Sequence, residues 1–148
     1  MNRPAEVLRS HVWIYWIAAL LSLVGLADSI YLTIQHITGE SLRCTIISGC
    51  SEVLGSPYSH MGRVPLAALG AAAYFTVFSL ATLAAFHYRT VGKLLTAMVT
   101  VMFLTTLWLL YLQAFVIHHF CQYCLLSAAV TIALTLFVFA GRVWKSRK

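Results

Sequence analysis

The sequence predicts an all-α membrane protein: a bundle of four transmembrane helices, with an outward loop between the first two. The 148-residue chain is 61% hydrophobic and only 9% charged, whereas soluble domains average about 25% charged residues. Four apolar runs each reach the roughly 20 residues that a helix needs to cross a bilayer. Because the runs are continuous rather than alternating, and lipid cannot satisfy open backbone groups, helices are favoured over barrel strands.

The four helices are expected at about residues 12–37, 65–86, 94–117 and 121–140, within a single membrane domain covering residues 1–148. The first run is too long for a signal-peptide core of about 7–15 residues, so we expect a retained anchor. Pro65 suits the first turn of the second helix, where its missing N–H costs nothing. The one long connection, residues 38–64, is the expected active loop because it carries two cysteines.

Lysine and arginine residues are distributed unevenly between the two sets of connections. Eight lie at the termini and in the second-to-third connection, whereas the long loop has only Arg43 and Arg63. Since positive residues favour the cytoplasmic side, both termini are predicted to be cytoplasmic. The long loop would then face the periplasm or extracellular side of the inner (plasma) membrane. The basic residues end apolar runs and form no stripe with exposed aromatics, so no nucleic-acid partner is expected.

The four cysteines form two pairs of different spacing. Cys44 and Cys50 lie in the polar loop, which a second protein can reach, whereas Cys121 and Cys124 open the last apolar run. Both pairs fall on the outward side, where disulfides are permitted. A Cys-x-x-Cys in the first turn of a helix shares one face, and the helix dipole there favours the thiolate. Thiol–disulfide exchange between the pairs would carry electrons from an outside protein to a lipid-soluble acceptor.

Other readings of the cysteines remain open at this point. Four sulfurs can bind zinc, although Cys-x5-Cys is loose for a zinc knuckle, and no metal site is predicted. A c-type haem would need histidine directly after the second cysteine, where Leu125 stands. Two structural disulfides are also possible, but one inside a helical turn restrains very little chain. The alternative function is therefore a small membrane transporter or assembly factor with structural disulfides or a zinc site.

The ordered set of motifs resembles the vitamin K epoxide reductase family over roughly residues 26–127, and is most similar to its bacterial quinone-linked homologues. The positions that carry the resemblance are Ser29, Ile30, Tyr31, Leu32, His36, Cys44, Gly49, Cys50, Ser51, Val53, Ser56, Gly62, Pro65, Leu66, Gly70, Tyr74, Cys121 and Cys124. The resemblance implies a four-helix bundle around a quinone, with the loop between the first two helices forming a half-helix cap. Many bacterial relatives carry a fused thioredoxin-like domain; none follows here, so a separate thioredoxin-like periplasmic partner is expected.

The resemblance implies a quinone-dependent, disulfide-generating oxidoreductase with Cys44, Cys50, Cys121 and Cys124 as its catalytic residues. The partner would attack at Cys44, Cys50 would attack at Cys121, and Cys124 would pass electrons to the quinone. At rest we expect the pairings Cys44–Cys50 and Cys121–Cys124, with a transient Cys50–Cys121 bridge during transfer.

Three further residues are candidates for binding the quinone. Ser56 is expected on the short half-helix after Cys50, where family members place a hydroxyl near the quinone. Asp28 lies inside the first apolar run, where a carboxylate is costly and usually functional or partnered; it would face the quinone or bond a neighbouring helix. Gln113 would bond a quinone carbonyl or another helix.

The expected substrate follows from two departures from the family pattern. Leu66 and Ala128 stand where vitamin K-specific members have asparagine and tyrosine. The resemblance therefore implies ubiquinone or menaquinone rather than vitamin K epoxide.

Overall fold

The structure, a computed structural model, describes residues 3–39, 44–46, 49–86 and 89–146. Its helices are α1 (Arg3–Thr38), α2 (Cys50–Leu54), α3 (Leu66–Ala85), α4 (Arg89–Tyr111) and α5 (Gln122–Ser146). Residues 40–43 and 47–48 of the predicted loop, including Arg43, lie outside the described residues.

Four segments of these helices are long and apolar enough to cross a membrane: Val12–Thr38, Leu66–Ala85, Thr90–Ile117 and Gln122–Val143. The predicted all-α fold with four transmembrane helices is confirmed, and the chain is a multi-pass membrane protein. Each predicted bound lies within four residues of the corresponding span, and the helices α1 and α5 continue beyond their spans. Hydropathy marks only the part of a helix that crosses the membrane. Residues that favour helix continue α1 back to Arg3 and α5 on to Ser146, beyond the apolar segments.

The four long helices form a ring in which each packs against two neighbours. The α1 helix contacts α3 and α5, and α4 contacts the same two helices from the other side. A side chain at Gly25 of α1 would overlap the ring of Tyr74 in α3, and one at Gly141 of α5 would come within 3.2 Å of Ile14. Small residues therefore let these membrane helices approach closely.

Tyr74 of α3 forms hydrogen bonds with α5, the helix on the opposite side of the ring. The Tyr74 hydroxyl lies 2.9 Å from the Ser127 carbonyl oxygen, 2.8 Å from the Ser127 hydroxyl and 2.9 Å from the Thr131 hydroxyl, both in α5. Hydrogen bonds between membrane helices each contribute about 0.6 kcal/mol on average. The cluster consequently fixes the register of α3 against α5 more than it adds to total stability.

Large apolar side chains cover the outside of the ring. Leu20, Phe75, Leu104 and Leu136 are each at least 59% exposed. Such a surface suits lipid rather than water, because soluble monomers rarely expose apolar patches of this extent.

The loop between α1 and α3 folds into a small cap over one end of the bundle. The five-residue α2 is followed by a 3₁₀ turn, Pro57–Ser59, and by antiparallel strands β1 (His60–Met61) and β2 (Val64–Pro65). This short hairpin was not predicted. Gly62 opens its two-residue connection with φ of 68°, a left-handed conformation that favours glycine.

The end of α4 departs from regular helix before the chain turns into α5. Leu112–Ile117 forms a π-helical segment, and His118 adopts a left-handed φ of 56°. Such π-helical segments are frequent at functional sites. Here the segment buries Leu112 and Gln113, and the chain re-enters the bundle at Cys121.

Candidate active site

Both cysteine pairs meet at one end of the bundle, beneath the cap. Cys50 and Cys121 are almost fully buried and pack in one apolar cluster with Leu32 and Val53. Cys44 and Cys124 are partly buried and pack against the same cluster. A loop pair and a helix pair that are about seventy residues apart in sequence are therefore neighbours in space.

Two contacts of the loop backbone hold the loop in place. One is with the side chain of Gln122, the first residue of α5, and the other is with the turn that precedes α5. The Ile46 N–H donates to Oε1 of Gln122 at 3.1 Å. A Cβ atom at Gly49 would lie 2.6 Å from the Phe120 carbonyl oxygen, so the two chains approach more closely than any larger residue allows. The Gly49 backbone is extended, with φ of 178°, so the glycine is needed for space rather than for conformation.

The first pair is oxidised in the structure. Cys44 and Cys50 form a disulfide whose Cα atoms are 6.1 Å apart. Cys50 is the first residue of α2 and is 1% exposed, whereas Cys44 is half-buried. Of the two sulfurs, Cys44 is therefore the more accessible from outside.

The second pair is reduced, which differs from the expected pairing. Cys121 and Cys124 are free thiols, so the structure holds one of the two expected disulfides. Their thiols are joined by a hydrogen bond instead.

Cys121 caps the N-terminus of α5, immediately before the fourth membrane span. Its carbonyl accepts the first helical bond from the Leu125 N–H at 3.0 Å, and its own N–H donates to Oε1 of Gln113 at 3.3 Å. The hydrogen bond donated by the Cys124 thiol lowers the pKa of Cys121 below its ordinary value, to about 7. Burial opposes this shift, whereas the N–H groups of Tyr123 and Cys124 support it. A substantial fraction of Cys121 is thus thiolate near neutral pH.

A cavity of about 150 Å³ lies beside the inner pair, between the cap and the bundle. Cys124 is the one of the four cysteines that lines it. The other lining side chains are mainly apolar and come from all four long helices and from the cap. Leu66 and Ala128, which replace the asparagine and tyrosine of the vitamin K-specific pattern, both lie in this wall.

Two of the three predicted quinone-binding residues line the cavity. Gln113 does so with its Oε1 already bonded to Cys121, so it also makes the inter-element hydrogen bond considered as the alternative. Ser56 lines the cavity from beyond α2, because the half-helix ends at Leu54. Its expected location on the half-helix was wrong: Ser56 precedes the 3₁₀ turn and donates to the Val53 carbonyl at 2.7 Å.

Asp28 is the third predicted residue, and it is not among the cavity-lining residues. It is 8% exposed, and its Oδ2 has no hydrogen-bond partner among the described residues. The alternative expectation was that Asp28 bonds a neighbouring helix, and Oδ2 makes no such bond to a described residue.

Sequence reasoning assigned no role in the site to several residues that build it, although two of them, Ser29 and Gly49, belong to the family pattern. Gly49 provides the close approach of the loop, while Ser29 and Ser127 place hydroxyls at the cavity. Ser127 could have been found from spacing, since it lies three residues after Cys124 on the same helix face. Gly49 had a weaker signal, as a glycine directly before a cysteine.

A sequence model described as the Vitamin K epoxide reductase family matches residues 16–139. The matched range contains all four cysteines and every residue that lines the cavity. Within the described part of the chain, no three histidine, cysteine, aspartate or glutamate side chains converge as metal ligands would.

Proposed function

Because the chain belongs to the vitamin K epoxide reductase family and is therefore a membrane thiol oxidoreductase, we propose that it is a quinone-dependent, disulfide-generating enzyme. It oxidises the dithiol of a separate thioredoxin-like protein and passes the electrons through its two cysteine pairs to a quinone. One observation carries the proposal: the two pairs share a buried cluster, yet Cys124 alone of the four cysteines lines the adjoining cavity.

The unequal exposure of the four sulfurs supports a division of labour. Cys44 is half-buried and receives the partner, whereas Cys50 and Cys121 are buried together and exchange with each other. Cys124 delivers electrons into the cavity. A water-soluble reductant has poor access to buried Cys121, so electrons are directed through the loop pair.

The first exchange oxidises the partner. A partner thiolate attacks the Cys44 sulfur, the Cys44–Cys50 bond breaks, and Cys50 leaves as a thiolate. The second partner thiol then displaces Cys44. The partner gains a disulfide, and the loop pair gains two electrons and two protons.

The second exchange moves those electrons inward. Cys50 attacks Cys121 of the oxidised inner pair, forming a Cys50–Cys121 bond and releasing Cys124. Cys44 then attacks Cys50, which restores the Cys44–Cys50 disulfide and leaves Cys121 and Cys124 reduced. The product of this step is the redox state of the described structure.

The last step returns the inner pair to its disulfide. Cys121 and Cys124 lose two electrons and two protons as their S–S bond forms, and the quinone gains both to become quinol. The lowered pKa of Cys121 favours this step above about pH 7, since the thiolate is the reactive form.

The size of the cavity supports a quinone ring as its occupant. A dry apolar cavity of about 150 Å³ accommodates a benzene-sized ring, and the present cavity has that volume. Gln113 and Ser56, together with hydroxyls such as those of Ser29 and Ser127, supply polar groups to a mainly apolar wall, as small-molecule sites usually require. We propose that the ring of ubiquinone or menaquinone lies here and that its isoprenoid tail extends between helices into lipid.

The two polar side chains would act differently on the ring. Oε1 of Gln113 is occupied by the Cys121 N–H, which leaves its amide N–H groups as donors to a quinone oxygen. The Ser56 hydroxyl donates to Val53, so its oxygen remains an acceptor for a quinol hydroxyl.

The charge distribution of the sequence supports an outward active site. Eight lysines and arginines lie on the side of the termini, against two in the active loop. We propose that the protein resides in the inner (plasma) membrane with the cap in the periplasm or its extracellular equivalent. In such a compartment the disulfides of a partner protein persist.

A quinone-reduction assay with a reduced thioredoxin-like protein as donor tests the proposal. Wild type should turn over, and Cys124→Ser should not. Cys44→Ser should lose turnover with the protein donor but retain it with a small uncharged dithiol that partitions into the membrane and reduces the inner pair directly. Equal rates in wild type and in both variants would contradict the relay and favour structural disulfides. Zinc bound by all four sulfurs is disfavoured, because two of them are joined in a disulfide.

A further inference from the structure

Asp28 is a buried carboxyl group that the proposed relay does not use. It lies inside the Val12–Thr38 membrane span, is 8% exposed, and has one carboxylate oxygen without a hydrogen-bond partner among the described residues. A carboxylate in the membrane interior is expensive and usually has a functional role. Its surroundings therefore indicate what it does.

The position of Asp28 along α1 places it beside the inner cysteine pair. Gly25, Asp28, Ser29 and Leu32 recur at helical spacing on the buried face of α1. Gly25 meets the Tyr74 ring, Ser29 lines the cavity, and Leu32 packs in the cysteine cluster. Asp28 thus lies at a level between Tyr74 and the cysteines, next to the cavity but outside its lining.

The titratable groups that interact electrostatically with Asp28 are Tyr74 of α3 and both thiols of the inner pair, Cys121 and Cys124. Tyr74 keeps its hydroxyl bonded to Ser127 and Thr131, so it has partners of its own. On the α5 side, Cys121 feels the Asp28 carboxylate, whose negative charge raises the pKa of Cys121 against the larger lowering effect of Cys124. The carboxylate and the inner thiolate therefore disfavour each other's charge.

We propose that Asp28 is the redox-linked proton acceptor of the inner pair: it takes up a proton when Cys121–Cys124 is reduced and releases it when the pair is oxidised. In low dielectric two neighbouring negative charges are costly, so a thiolate that forms beside Asp28 draws a proton onto the carboxyl. The proposal rests on the proposed relay through the inner pair, but not on the identity of the final acceptor.

The step balances in charge, electrons and protons. In the oxidised state the site holds one disulfide and one carboxylate, with a net charge of one negative unit. Reduction breaks the S–S bond with two electrons and takes up two protons, one shared by the hydrogen-bonded sulfurs and one on Asp28. The reduced site holds a thiol, a thiolate and a neutral carboxyl, again with one negative unit. Oxidation of the pair by a quinone releases the same two electrons and two protons.

The pH dependence of the inner-pair redox equilibrium tests the proposal without any quinone. The full-length protein in detergent is equilibrated with dithiol–disulfide buffers, and the Cys121–Cys124 peptide is scored by differential alkylation and mass spectrometry. The buffer dithiol releases two protons with its two electrons, so a wild-type site that takes up two protons should show an exchange constant nearly independent of pH above about pH 7, where Cys121 ionises. Asp28→Asn takes up one proton fewer, so its exchange constant should change about tenfold per pH unit, or about 30 mV.

Ser22→Ala is the matched control, since Ser22 is a buried polar residue of α1 whose hydroxyl donates to the Ala19 carbonyl of the same helix. In this variant the exchange constant should depend on pH as it does in the wild type. Asp28→Glu should also keep the wild-type pH dependence, because the carboxyl group is retained. The same pH dependence in wild type and Asp28→Asn would overturn the proposal.

A second measurement on the wild type guards against misfolding of the variant. The infrared difference spectrum between the reduced and oxidised inner pair should show the carbonyl band of a protonated carboxylic acid gained on reduction. No such band would overturn the proposal. If the wild type did not reduce quinone, but showed the expected pH dependence and the infrared band, the proposed function alone would be contradicted.

Discussion

At the scale of the residue, four chemically identical side chains acquire different properties from their surroundings. Cys44 and Cys50 are held in a disulfide, whereas Cys121 caps a helix and Cys124 faces a cavity. The sequence spacing predicted that the Cys-x-x-Cys pair would favour a thiolate at a helix start. It could not identify which sulfur carries the charge, because that depends on a hydrogen bond between two thiols and on burial.

The ionisation of Cys121 depends on a donor at position 124. Replacing Cys124 with alanine removes the thiol that lowers the pKa of Cys121 to about 7, so ionisation should move to higher pH. Thiolate absorbance in the ultraviolet measures it, because Cys44 and Cys50 are disulfide-bonded and silent. Near pH 7, the alanine variant should therefore contain less Cys121 thiolate than the wild type.

The matched control for this titration is Cys124→Ser, whose hydroxyl can still donate to the Cys121 sulfur. Serine should keep the ionisation of Cys121 nearer to the wild-type value than alanine does. Identical titrations for wild type and Cys124→Ala would show that the thiol–thiol hydrogen bond does not control Cys121.

At the scale of the element, the long helices were predicted from the sequence, and a half-helix in the loop from the family resemblance, whereas the hairpin and the π-helical end of α4 were not predicted. Continuous hydropathy marks the membrane-crossing segments, because lipid imposes a minimum apolar length on each of them. The loop and the end of α4 have no such constraint, and their conformations depend on local contacts that no periodicity reports.

Contact between the loop and the turn before α5 should control transfer between the pairs. Gly49→Ala would place a Cβ 2.6 Å from the Phe120 carbonyl oxygen, so the backbone beside Cys50 must move away. Overpacking of this kind costs about 1–3 kcal/mol, which corresponds to a fall in rate of about 5- to 150-fold if the contact is needed in the transition state. Acid quenching and alkylation after reduction of the loop pair would time its exchange with the inner disulfide.

Gly92→Ala is the control for that experiment, because its added Cβ would meet only the Tyr15 hydroxyl, at an ordinary 3.8 Å. Exchange in this variant should proceed at the wild-type rate. If Gly49→Ala also exchanged at that rate, the close backbone approach would have no part in positioning Cys50.

At the scale of the whole molecule, antiparallel succession of the helices brings the α1–α3 loop and the α4–α5 turn to one end. The sequence predicted that both connections lie on one side of the membrane, from the succession of the spans and from the distribution of lysine and arginine. It did not predict the cavity, whose wall combines residues from all four long helices and the cap. It also led us to expect Asp28 at the quinone, whereas the packed bundle places this residue outside the lining.

The central claim is that the inner pair passes its electrons directly to a quinone in the cavity, and a single-turnover experiment tests it most directly. The protein is prepared in the described state, with Cys44–Cys50 oxidised and Cys121 and Cys124 reduced, and is mixed anaerobically with excess quinone and no donor. We predict about one quinol per protein, formed together with a Cys121–Cys124 disulfide and absent in Cys124→Ser. Quinol formation without that disulfide, or none at all in correctly folded wild type, would contradict the account.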